Sequence, residues 1–135
     1  MAVSPYALRP DITLASTKDF SDSIQYAENV LTQNAITASA THTQAGATVI
    51  YNHYARVTTA GGNDTVVLGF GAGPGKRFVI INDSGAVVNL YPKSGDKLND
   101  ANVDAAVTLA DNTVSTYYCS VKGLWFGGPI TLATI

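Results

Sequence analysis

From Ala47 onward the chain repeats one pattern: a short run of β-branched and aromatic residues, then a turn built on glycine, asparagine or aspartate. This rhythm constrains the fold more than any other feature. Short apolar runs split by turn residues suit strands and are too brief for helices. Val49 to Tyr51 and Ala55 to Thr59 read as strands, followed by the turn Gly61-Gly62-Asn63-Asp64. Thr65 to Gly69 is the next strand and Lys76 to Asn82 the strongest. Asp83-Ser84-Gly85 is a tight turn and Ala86 to Tyr91 returns, so FVIIND-SG-AVVNLYP reads as a β-hairpin. Pro92 stops that strand, and KSGDKLND is a polar loop. Val103, Ala105, Val107 and Leu109 alternate along one face, and Asp111-Asn112 turns into the long strand Val114 to Val121. Gly123 breaks it before Leu124-Trp125-Phe126, and Gly127-Gly128-Pro129 turns into a last strand, Ile130 to Ile135. The expectation is an all-β fold, an antiparallel β-sandwich or barrel.

The chain divides near residue 42, giving an arm over 1–42 and an antiparallel β-domain over 43–135. Pro5 and Pro10 each fix φ and lack an amide donor, so Val3 to Pro10 reads as extended. Asp11 to Ser16 alternates, as a short strand or extended arm does. Over 21–31, Ile24, Ala27 and Leu31 fall at helical spacing behind a Ser21 cap, which reads as a short helix. Residues 32–48 are rich in Thr, Ala, Ser and Gln and read as a linker or an exposed strand.

Composition removes several function classes. Only 13% of residues are charged, about half the usual share. The surface is therefore neutral and polar, or covered by other subunits. The eight lysines and arginines are scattered and the net charge is −2, which argues against nucleic-acid binding. Cys119 is the single cysteine, so no disulfide can close within the chain. MAVSPYALRPD lacks the basic and apolar regions of a secretion signal. No run of about 18 apolar residues implies a membrane span.

The motifs that suggest chemistry fail on inspection. GFGAGPGKR ends like a phosphate-binding loop, but Phe70 stands where the first glycine belongs and Arg77 where a metal-binding hydroxyl belongs. A strand follows instead of the helix whose amides would face phosphate, so the stretch reads as a glycine-rich turn. His42 and His53 have no acid or cysteine at metal-ligand spacing. Cys119 lies in an apolar strand and reads as a small buried residue. Asp96, Asp100 and Asp104 recur every fourth residue, without the alternate acids and central glycine of a calcium loop. No catalytic residue, metal ligand or cofactor is assigned, and the chain reads as a binding or building protein, not an enzyme. Tyr117, Tyr118, Trp125 and Phe126 read first as core and subunit-interface packing, with stacking on a glycan as the alternative for Tyr117, Trp125 and Phe126 above all, and loop 93–102 as a further glycan contact.

Several stretches carry a resemblance: QAGAT at 44–48, RVTTA at 56–60, VVLG at 66–69, FVIINDSG at 78–85, VNLYPKSGDKLN at 88–99 and TYYCSVKGLW at 116–125. Together they resemble a small β-domain of tailed-bacteriophage virion proteins, over about two thirds of the chain. In a short chain the resemblance implies a capsid decoration (cement) protein, commonly trimeric, on the virion surface after synthesis in the host cytoplasm. It implies the major capsid protein and further copies of this chain as partners, with no nucleic acid and no membrane. The alternative it leaves open is a fibre or tail module that contacts host-surface glycan. On this reading Pro5, Tyr6, Leu8, Pro10, Ile12 and Leu14 form the arm that lies on the capsid. Prolines lower the ordering cost of such docking, and the extended stretch could add a strand to a sheet edge.

Overall fold

The computed structural model describes residues 32–131, and the side chains of 32–129. The arm residues Pro5 to Leu14 and the helix expected over 21–31 lie outside the described residues, as do the last residues of the expected strand 130–135. The chain divides into two compact units, Met1–Leu31 and Thr32–Ile135. The second unit thus begins at Thr32 and takes in residues that the sequence assigns to the arm.

The described residues are all-β. They form ten strands in order: β1 (Thr32–Thr37), β2 (Thr48–Ile50), β3 (Tyr54–Thr59), β4 (Asp64–Leu68), β5 (Arg77–Asn82), β6 (Val88–Tyr91), β7 (Lys97–Leu98), β8 (Val107–Leu109), β9 (Thr113–Val121) and β10 (Leu124–Thr131). They form a six-stranded sheet, β1-β3-β5-β9-β10-β7, and a four-stranded sheet, β2-β4-β6-β8. Successive strands from β1 to β8 alternate between the sheets. The pairs β1–β3, β3–β5, β2–β4 and β4–β6 are parallel, as in a solenoid that gives one strand to each sheet per turn. Antiparallel pairing begins with β6–β8 and continues through β5–β9 and β9–β10. The expected antiparallel sandwich or barrel is therefore corrected to a solenoid-like arrangement.

The expected hairpin FVIIND-SG-AVVNLYP shows why. β5 and β6 do not pair with each other; they belong to different sheets. Asn82 ends β5 fully buried, where an apolar residue would otherwise point. Its amide donates to the carbonyls of Ala86 (2.8 Å) and Leu109 (3.0 Å). Its oxygen accepts from the Ser84 hydroxyl (2.7 Å) and the Ser84 amide (3.2 Å). A buried amide with both ends satisfied holds the chain in an arch from one sheet to the other. Gly85, at φ 85°, completes the bend and donates to Asp111 Oδ1 at 2.8 Å.

Residues 32–37, read as linker or exposed strand, form the edge strand β1, so the second of those readings holds there. Two other elements differ from expectation. KSGDKLND is not all loop: Leu98 is buried and, with Lys97, pairs in parallel with β10. Gly127-Gly128-Pro129 does not turn but lies inside β10, opposite Tyr117, Thr116 and Ser115. At Gly127 a Cβ would strike the Thr116 carbonyl, so glycine is required there by close backbone approach. The glycine-rich stretch before β5 is a loop, as read, but it joins strands of different sheets.

The core draws on both sheets. Ile36, Val57, Phe78, Ile80, Tyr117 and Trp125 face Ile50, Val66, Leu68, Val88, Leu90 and Leu109. Aromatic packing anchors one part of it. Phe78 stacks on Tyr117 at 4.9 Å between centroids and meets Trp125 edge-on at 4.8 Å. Phe70, from the glycine-rich loop, adds edge contacts to both Phe78 and Trp125. His53 stacks on Phe70 at 4.3 Å, and burial together with the charge of Lys76 lowers its pKa below the usual 6.5.

Candidate functional site

Alternation along each strand decides which aromatic residues can be reached from outside. In β9, Thr113, Ser115, Tyr117 and Cys119 point inward, and Val114, Thr116 and Tyr118 point outward. Tyr117 is 1% exposed and Trp125 0%. Both are core residues, as the packing reading has it, and the alternative that either contacts a glycan is corrected: no ligand reaches them without unfolding. Phe126 is 48% exposed and keeps its place as a surface candidate. Tyr118, the second exposed aromatic of that group, is 57% exposed. Choosing between two adjacent tyrosines requires the inward phase of the strand, which an apolar run does not reveal.

The outward residues form a row across one end of the six-stranded sheet. Arg77 of β5 is the register partner of Tyr118, and Tyr118 is the partner of Phe126 on β10. Arg77 Nη2 donates to the hydroxyl of Tyr54, on β3, at 3.2 Å. On the far side Lys97 of β7 pairs with Leu124, just before Phe126. The row therefore reads Tyr54, Arg77, Tyr118, Phe126, Lys97 across β3-β5-β9-β10-β7. At about 4.8 Å per strand it spans roughly 19 Å. Further into the sheet the same face carries Val79, Ile81 and Val114, each half-buried.

Charges scattered in sequence gather at this end. Lys76 lies one step beyond Arg77, where its carbonyl accepts from Cys119 N at 2.9 Å. Lys122 sits in the β9–β10 turn, where Gly123 N reaches the Ala72 carbonyl at 3.1 Å. The two ion pairs among the described residues are His42–Asp64 and Arg56–Asp83. Lys76, Arg77, Lys97 and Lys122 take no carboxylate partner among the described residues. Of the nearby acids, Asp100 is exposed beyond Leu98, and Asp96 accepts from Ala72 N at 2.8 Å. Asp104 is likewise engaged, by Gly95 N (2.8 Å) and Gln44 Nε2 (3.1 Å). Loop 93–102, expected as a glycan contact, contributes Lys97 to the row, and its Leu98 goes into the core.

The other chemical candidates are placed plainly. His42 is exposed and bonded to Asp64 at 3.3 Å; His53 is half-buried in its ring stack. Cys119 is buried, its thiol donating to the Val121 carbonyl at 3.1 Å. Among the described residues no group of three or more His, Cys, Asp or Glu side chains could hold a metal ion. What the row can do is bind: exposed rings offer flat apolar faces, and unpaired cations between them attract anions. No protein-family model, curated protein or solved structure matches the chain.

Proposed function

We propose that the chain is a bacteriophage capsid decoration protein, a homotrimer that binds the outer capsid lattice and stabilises the head. One observation carries this reading beyond the sequence resemblance. The chain divides at Leu31/Thr32, so that all six residues assigned to the capsid-contact arm fall in one unit and the described strands in the other. An anchoring segment in one unit and a β-fold in the other is the organisation such a protein needs. The arm Pro5, Tyr6, Leu8, Pro10, Ile12 and Leu14 supplies attachment, and association in threes multiplies weak contacts on a symmetric lattice. Low charge suits a protein covered on several sides by neighbours.

The test uses undecorated capsids assembled from the cognate major capsid protein. Full-length chain should co-sediment with them to saturation and raise their melting temperature, and the free chain should have the native mass of a trimer. Removing residues 1–18 should abolish co-sedimentation and leave the β-unit folded by circular dichroism. Failure of the full-length chain to bind these capsids would end the decoration reading. Full occupancy by the truncated chain would end the assignment of the arm.

A further inference from the structure

We infer that the row Tyr54, Arg77, Tyr118, Phe126 and Lys97 is a binding site for an acidic polysaccharide, a linear polymer of uronic-acid type. The inference goes beyond capsid decoration and does not depend on it. It uses only the β-unit.

Three observations converge. First, Tyr54, Tyr118 and Phe126 are all substantially exposed, although aromatic residues of this size are normally covered. Second, Arg77 and Lys97 lie among these rings on the same outward face, with Lys76 and Lys122 at the rim, and none has a carboxylate partner among the described residues. Unpaired cations at one end of a unit with few charges form a local positive field that favours an anionic partner. Third, the row is linear and crosses the strands, so an extended polymer lies along it, with one group meeting each strand in turn.

The order of groups selects the chemistry. In a polyuronate the carboxylate is borne by the same ring that presents a flat C–H face. Rings and charges therefore share one line, as they do in Tyr54-Arg77-Tyr118-Phe126-Lys97. The ring faces pack on tyrosine and phenylalanine, and the carboxylates meet the planar guanidinium of Arg77 and the ammonium of Lys97. The Tyr54 hydroxyl, accepting from Arg77, fixes the guanidinium and leaves its other donors free. A single-stranded nucleic acid presents its charge along a backbone beside the stacked bases, and needs a cationic groove running parallel to its aromatic platform. The row interleaves the two instead.

Full-length chain would be titrated with polygalacturonate at low salt, with neutral dextran and an oligothymidylate of matched charge as comparisons. The expected result is saturable binding to polygalacturonate, weakened by added salt, with little binding to dextran. Arg77→Gln combined with Lys97→Gln, and separately Tyr118→Ser combined with Phe126→Ser, should each weaken binding more than about tenfold. Because all four side chains face outward, thermal unfolding of both variants should match the parent. Absence of polygalacturonate binding overturns the inference. So does equal binding of dextran, tighter binding of the oligonucleotide, or parental affinity in both double variants.

Discussion

Tyr117 and Tyr118 are adjacent in β9, as Trp125 and Phe126 are in β10, and each pair straddles the six-stranded sheet. The first member of each pair lies in the aromatic cluster with Phe78; the second stands in the row beside Arg77. The two faces share strands, register and residue types, yet one consolidates the fold and the other faces outward. The difference is phase alone. A strand that carries aromatic residues on both faces separates folding from recognition by a single residue step.

The largest expected effect tests this division directly. Trp125→Ala removes a fully buried indole that packs against Phe78 and Phe70, and should cost about 3–5 kcal/mol of unfolding free energy. Phe126→Ala, one residue on, should cost within about 0.5 kcal/mol. Urea unfolding of the two variants measures both. Comparable losses would mean that the outer row is structural and that the two faces do not divide the labour.

A second pair sharpens the comparison with polar residues. Asn82 and Asn89 both sit on strands, but Asn82 points inward and closes the β5–β6 arch, whereas Asn89 points outward with only long contacts of 3.4 Å and 3.5 Å. Asn82→Ala leaves the Ala86 and Leu109 carbonyls without this donor and should cost about 1–3 kcal/mol, while Asn89→Ala should change stability by less than about 0.5 kcal/mol. The same urea experiment decides it. Equal effects would remove Asn82 as the device that sends the chain into the second sheet.

Asn82 also explains what could and could not be read in advance. Strand content was legible, because β-branched runs and turn residues are local signals. Pairing was not. FVIIND-SG-AVVNLYP satisfies the local rules for a hairpin and for an arch equally well. The choice rests on one amide that finds the Leu109 carbonyl, 27 residues away. β7 was hidden for a related reason: two residues, Lys97 and Leu98, show no periodicity, and only β10 makes them a strand. In β10 itself, Gly127-Gly128-Pro129 carries a turn's residue types but continues the strand where its backbone comes close to β9. The outward row proposed to bind was the least legible feature. Phe126 was named, but its neighbours Tyr54, Arg77 and Lys97 are up to tens of residues away in sequence and meet only through register.

The smallest expected effect is confined to alkaline pH and to the inner face. Burial pushes the Tyr117 phenol up to about 12, from an ordinary value of 10.0. The folded chain therefore keeps this proton where the unfolded chain has already released it. The group's contribution to stability is complete below pH 10.0 and is lost progressively as pH rises toward about 12. Tyr117→Phe retains the ring that stacks on Phe78 but carries no proton to lose. Its stability should fall less steeply than the parent's above pH 10, and its phenolate absorbance should lack one late-rising component. Parallel stability curves for the two proteins across that range would show that the Tyr117 hydroxyl is in contact with water, and that the inner face is less sealed than its packing implies.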